Sequence, residues 1–222
     1  MEEPQKFDDY AKSYESLHKA SIAVTGEDPD YFHDYKIEEM RRRGLLTGPL
    51  LDYGCGTGNL LERFARVLPD VHGYDPSTES LREAAERAKV ATLHDRPSDL
   101  PQGYFATAVL SGVLHHVPKV ERRDVLERVR ASLRPGGHIV VFEHNPLNPL
   151  TRRAIAMCPF DDDAILLWPW EARWRLRAAG FRGVTLDYIV FFPRPLKFLR
   201  RFEPSLRRVP FGAQQLLIGT RT

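Results

Sequence analysis

The sequence predicts an α/β chain organised on a doubly wound, mostly parallel sheet, and three observations carry that prediction. Short apolar runs alternate with helix-length amphipathic stretches between residues 49 and 143, the pattern of strands buried on both faces beneath helices. The first run, Leu50-Leu51-Asp52-Tyr53, closes on an acid and enters Gly54-Cys55-Gly56-Thr57-Gly58. Glycine at alternate positions suits a turn needing positive φ or close approach of backbone to a ligand. A second run, ending Gly73-Tyr74-Asp75, closes on another acid about twenty residues further on. In such sheets ligands sit at the carboxyl ends of the strands.

Taken in order, Phe7, Tyr10, Tyr14 and Leu17 recur at helical spacing among charges and predict an amphipathic helix over 7–20. A second helix is expected over 29–43, closed near Gly44. Together they form an N-terminal helical cap. Strand 49–53, the glycine loop and helix 59–68 open the core. Strand 70–75 follows, then a helix started by Pro76-Ser77-Thr78 and running to about residue 88. A short strand over 90–93 leads to a turn-rich loop over 95–103 and an apolar strand over 104–111. A helix over 119–133 stops at Arg134-Pro135-Gly136-Gly137 before a strand over 138–143. Beyond it lie a rigid loop over 145–149, a short helix over 151–158, a helix over 169–179 closed by Gly180, and two strands over 184–192 and 214–220. Those last two are expected to pair antiparallel, with a basic helical insertion over 194–210 between them.

Composition narrows the class. The 222 residues carry 32 basic and 30 acidic side chains and are 42% hydrophobic, enough for a sizeable core and too balanced for global nucleic-acid binding. Two cysteines, Cys55 and Cys158, far apart in the chain, suggest neither a disulfide framework nor a metal site. The acidic, polar start is unlike a signal peptide, and no apolar run reaches the ~18–20 residues that span a bilayer. A cytoplasmic protein is expected, as a monomer or homodimer.

Five segments resemble, in order and spacing, the motifs of class I S-adenosylmethionine-dependent methyltransferases: Asp52 with the glycine loop; Gly73-Tyr74-Asp75-Pro76-Ser77; Ser98-Asp99-Leu100-Pro101; Leu110-Ser111-Gly112-Val113-Leu114-His115-His116-Val117; and Leu133-Arg134-Pro135-Gly136-Gly137. The resemblance covers about residues 47–145. It implies a Rossmann-like, seven-stranded, mostly parallel sheet with an antiparallel distal edge strand and helices on both faces. One methyltransferase domain over 1–222 is expected: cap 1–46, cofactor core 47–145, and distal substrate-side half 146–222. The implied cofactor is S-adenosyl-L-methionine, with S-adenosyl-L-homocysteine as product, and the implied partner is a small-molecule acceptor, with no metal and no nucleic acid. The rival reading is a nicotinamide-dependent oxidoreductase, whose fingerprint is GxGxxG; here the spacing is GxGxG.

The resemblance assigns Asp52, Gly54, Cys55, Gly56 and Gly58 to the cofactor's amino-acid tail. It assigns Asp75 to the ribose hydroxyls, Tyr74 and Pro76 to the flanks of the adenine, Asp95 or Arg96 to the adenine amine, and the Ser111 carbonyl to the amino group. His115 and His116 follow the fourth strand, and each has two readings, packing beneath the sheet or facing the rim. His116 is the favoured cofactor, base or acceptor contact. Glu143 and His144 end the fifth strand as catalytic candidates. Glu143 has capping a helix or pairing with a base as its other reading, and His144 is a general-base candidate if the acceptor is a hydroxyl. Tyr10, Tyr14, Tyr31, Asn145, Asn148 and Arg194 are candidate acceptor contacts. Trp168, Trp170 and Trp174 read as packing. The insertion over 194–210 reads as a solvated helix face covering the sheet edge, with weak peripheral membrane contact or an acidic acceptor as the alternatives.

Overall fold

The computed structural model describes residues 22, 25–158 and 164–222. The expected helix over 7–20, with Tyr10 and Tyr14, lies outside them. The first described helix is α1 (Pro29–Arg42), with Asp28 as N-cap and Pro29 in its first turn, where a missing N–H costs nothing. Its buried face repeats every fourth residue as Phe32, Lys36 and Met40, with Ile37 beside them.

The sheet comprises β1 (Leu50–Tyr53), β2 (Val71–Tyr74), β3 (Thr92–His94), β4 (Phe105–Ser111), β5 (Leu133–His144), β6 (Phe181–Ile189) and β7 (Gln214–Arg221). Its order is β3-β2-β1-β4-β5-β7-β6. The pairings from β3 to β5 are parallel. At the distal edge β7 runs antiparallel to both β5 and β6 and is threaded between them. The helices between strands are α2 (Asn59–Ala65), α3 (Thr78–Arg87), α4 (Arg122–Ser132), α5 (Pro149–Ala156), α6 (Pro169–Ala178) and the single turn α7 (Glu203–Leu206).

Strand alternation divides the core in two. Leu51, Leu110, Ile139 and Val141 face a layer containing Leu126 and Val129 of α4 and Leu176 of α6. Leu50, Val109, Val140 and Phe142 face the opposite layer, with Leu61 and Phe64 of α2 and Met40 of α1. The doubly wound expectation therefore holds, and α1 is part of one layer.

Several boundaries move for local reasons. Helix α2 stops at Ala65 with Arg66 as C-cap, short of Leu68, which as the residue before Pro69 disfavours helical ψ. Helix α4 starts at Arg122 and α5 at Pro149, the latter capped by Asn148. Strand β3 is displaced to Thr92–His94, leaving Val90 exposed in the turn. Strand β5 begins at Leu133, because Leu133 pairs with Phe105 ahead of a register shift, so the expected turn over 134–137 is drawn into the strand.

The chain winds outward from β1 through β2 to β3, then returns to place β4 on the other side of β1. That reversal opens a crevice at the carboxyl ends of β1 and β4, the usual ligand position in an open α/β sheet.

Candidate active site

The crevice is built from the glycine loop outward. Gly54, Gly56 and Gly58 all have positive φ, 80°, 51° and 83°, which glycine adopts without strain. Two of them serve different ends. A Cβ on Gly58 would stand 2.8 Å from the Ala84 backbone, so this glycine lets α2 approach α3. A Cβ on Gly56 would meet nothing within 4 Å, so the middle of the loop faces open space. The loop is held by its own bonds: the N–H groups of Gly54 and Cys55 donate to the Tyr74 carbonyl, and Gly56 N–H donates to Asp75 at 2.8 Å. The Cys55 thiol is turned inward against Gly73, and burial pushes it well above its ordinary range.

Two carboxylates flank the loop in different states. Asp75 accepts from Gly56 N–H through one oxygen and from Ser77 N–H through the other. The carboxylate thereby fastens the loop to the start of α3. Asp52 is 1% exposed, and its Oδ2 has no hydrogen-bond partner among the described residues. Burial pushes its carboxyl up to about 7, against the pull of Lys36.

Lys36 is the buried ammonium at the crevice that sequence reasoning missed. It comes from α1 and donates to Ser111 Oγ at 2.8 Å. Burial pushes its ammonium down to about 8, against the attraction of Asp52 and Glu143. A signal existed, since Lys36 is the one cation in the stripe Phe32–Lys36–Met40.

At the end of β5 stands a second group. The Glu143 side chain is buried, accepts from Leu114 N–H at 2.7 Å, and pairs with His115 Nδ1 at 2.7 Å. Burial alone would raise this carboxyl. The His115 ring, joined by His144 and the Leu114 N–H, outweighs that and holds it below the usual range. The His115 ring lies 4.1 Å from His116 and 5.0 Å from His144. Of His115's two readings, buried packing is therefore the observed one, in contact with the rim. His116 and His144 are half-buried. The turn is braced from behind: buried Arg122 donates to the carbonyls of Val117 and Ile165, and Ile165 N–H donates to the His115 carbonyl. Nothing in the sequence marks Arg122 for this part.

Pro76 is half-buried at the mouth of the loop, and exposed Asp95 and Arg96 follow β3 directly. Asp95 adjoins His94, whose carbonyl accepts from Asp75 N–H, which brings the end of β3 alongside Asp75. Tyr74 does not join them. Its ring is 2% exposed and packs 4.6 Å from Tyr53, because alternation along β2 sends it into the core.

Three expected acceptor contacts have partners within the chain. Asn145 spends its amide on the carbonyls of Pro210 and Gly212 and on Leu147 N–H. Asn148 caps α5 and donates to the Phe211 carbonyl. Arg194 is exposed and reaches toward the Gly26 carbonyl. The Tyr31 ring lies under the Arg200 guanidinium at 4.2 Å.

The comparisons decide the family. A model described as "Methyltransferase domain" matches residues 30–186. The chain belongs to this family. It is 29% identical over 143 residues to an uncharacterized methyltransferase of Anoxybacillus flavithermus, covering 60% of this chain and 63% of that one. It is 33% identical over 117 residues to a ubiquinone biosynthesis O-methyltransferase of Cupriavidus pinatubonensis, covering 46% and 43%. The chain thus spans less than two thirds of the length of these relatives. The fold matches a SAM-dependent methyltransferase of Thermotoga maritima, described as a possible histamine N-methyltransferase, with a TM-score of 0.69 at 16% identity, covering 98% and 99%.

S-adenosylmethionine is the cofactor of this domain, and the crevice suits it. A buried carboxylate oxygen without a partner, an ammonium beside it, an open glycine and a second carboxylate match a zwitterionic tail and a ribose diol. The cofactor carries no phosphate, so no phosphate cradle is needed.

Proposed function

We propose that this methyltransferase domain acts in the cytoplasm on a small-molecule acceptor and methylates an oxygen atom. The observation that carries the oxygen assignment is the buried Glu143–His115 pair, 2.7 Å apart, with His116 and His144 beside it. When bound, the cofactor supplies a methyl group on a cationic sulfur, open to in-line displacement. Asp52 accepts the hydrogen bonds of the cofactor's ammonium, and Lys36 meets its carboxylate. Asp75 accepts from the ribose hydroxyls, and Gly56 permits close approach.

A hydroxyl becomes a competent nucleophile as it loses its proton, and a positioned base is worth roughly 10²–10⁴-fold. His144 is assigned that role because it is the half-buried ring at the end of β5 next to the Glu143–His115 pair. His116 contacts the acceptor. Glu143 is a positioning residue: it fixes His115 and stabilises positive charge arriving on the neighbouring imidazole. The likeness to a ubiquinone biosynthesis O-methyltransferase supports oxygen as the acceptor atom.

The test is label transfer from S-adenosylmethionine to a panel of phenols, alcohols and amines. His144→Ala is expected to lose roughly 100-fold in turnover on hydroxyl acceptors while calorimetric cofactor affinity stays unchanged. Transfer confined to amines, with His144→Ala as active as the parent, would overturn the oxygen assignment.

A further inference from the structure

The connection between β6 and β7 is built inside out. A helical segment at a sheet edge ordinarily turns its apolar side chains inward. In the 3₁₀ segment Arg194–Phe202 no residue is buried. Leu196 and Phe202 are exposed, and Phe198 and Phe211 are 65% and 64% exposed. What faces the body is polar. Glu203 is 5% exposed and accepts from the backbone N–H groups of Phe191 and Phe192 and from the Tyr35 hydroxyl. Arg200 turns inward to the Phe192 carbonyl, Glu27 and the face of Tyr31.

This orientation is fixed by the backbone. Val190, where the chain leaves β6, has φ 60°, a conformation a β-branched residue takes only when its surroundings compel it. Its carbonyl accepts from Ala213 N–H. At the far end Asn145 and Asn148 grip the carbonyls of Pro210, Phe211 and Gly212. The insertion is therefore fastened to the loop after β5, at the same edge of the sheet as the crevice.

Charge names the occupant. Residues 194–211 hold six cations against one carboxylate, the buried Glu203. With Arg200 turned inward, the other five cations are exposed among the phenylalanines, and the Arg201 guanidinium stacks over Phe202 at 4.8 Å. A phosphate backbone would use the cations but has no use for exposed Leu196 and Val209, whereas an anionic lipid surface uses both.

We propose that residues 194–211 dock the chain on an anionic bilayer, with Phe198, Phe202 and Phe211 entering the headgroup boundary, so that the crevice opens beside the lipid surface. The catalytic reading supplies only the purpose of this docking; the docking stands on the insertion itself.

Flotation of the full chain tests it, using vesicles of phosphatidylcholine alone and of phosphatidylcholine with phosphatidylglycerol. Flotation with the anionic vesicles only is expected, weakening as salt rises. The double variant Phe198→Ser/Phe202→Ser should lose it. Lys197→Glu/Arg201→Glu should reduce partitioning by at least roughly 100-fold. Calorimetric titration with S-adenosylmethionine should be the same for all variants, which shows them folded. No flotation of a parent chain that still binds S-adenosylmethionine would overturn the proposal. So would serine variants that float like the parent, oligonucleotide binding as tight as vesicle binding, or a dimer dispersed by Phe198→Ser/Phe202→Ser. Loss of cofactor binding by a parent chain that floats would count against the methyltransferase reading alone.

Discussion

On the β1–β4 side of the strand-end rim, Asp52 is buried with an acceptor oxygen unspent and Lys36 is buried with one hydrogen bond, to Ser111. On the β5–β7 side, Asn145 and Glu203 are buried just as deeply, with bonds to backbone through both ends of the amide and to three donors at the carboxylate. The residue types are equally polar and the burial is equal. What differs is completion. A buried polar group costs free energy unless it is paired, so the unspent oxygen of Asp52, beside the open Gly56, is one a ligand can complete. Gln215 Oε1 on β7 is also without a partner among the described residues, so the difference belongs to these four residues and not to each whole side of the rim. Glu143 stands between: its partners complete it, and one of them, His115, touches the rim.

The comparison can be broken by substitution. Glu143→Gln should have the largest effect, because it leaves His115 and Leu114 N–H facing a neutral group in a buried pair; a loss of about 3–5 kcal/mol is expected. The native Glu143 carboxyl is depressed, so its contribution is complete above its unfolded range and is lost as pH falls through the native value. The deficit of Glu143→Gln, read by urea denaturation, should accordingly shrink on acidification below about pH 4. An equal deficit at acid and neutral pH would contradict an ionised pair.

Asn145→Ala should cost about 3 kcal/mol, as two carbonyls and one N–H lose a buried partner, with cofactor affinity unaffected. A variant of parental stability, or one that loses cofactor, would put Asn145 back on the ligand side.

Lys36→Met should go the other way. The Lys36 ammonium is lowered from 10.5 to about 8, so between those values the unfolded chain holds a proton that the native chain has released, and stability rises with pH. The cost of the buried charge is complete below about pH 8, on the order of 3 kcal/mol. Lys36→Met should thus be more stable than the parent at pH 7, by roughly 1–3 kcal/mol, with the advantage fading above pH 8. A gain that persists undiminished at high pH would show better packing rather than relief of charge, and would end the contrast drawn between Lys36 and the spent groups.

Much of this was legible in the sequence. The fold follows from apolar runs and two acid-terminated strands, signals local to four or five residues each. Asp52, Asp75 and the glycine loop are likewise local, since strand end, turn and helix start sit within one contiguous stretch. The rim was less legible because it is assembled by register. Nothing local says that Glu143 reaches His115, a partner 28 positions away. Nor does anything near Asn145 say that its amide reaches Gly212. Side-chain direction explains the remaining misses: Tyr74 was placed at the adenine and alternation put it in the core. Lys36 was readable from its place in an apolar stripe.

The most direct measurement is calorimetric titration of the parent chain and Asp52→Asn with S-adenosylmethionine at pH 8, where the Asp52 carboxylate is largely ionised. The account predicts saturable binding to the parent, affinity lower by roughly 10–100-fold in Asp52→Asn, and thermal stability of the variant equal to or above that of the parent. Equal affinity in the two proteins, or reduced affinity together with reduced stability, would mean that the unspent oxygen of Asp52 belongs to the scaffold and not to the cofactor.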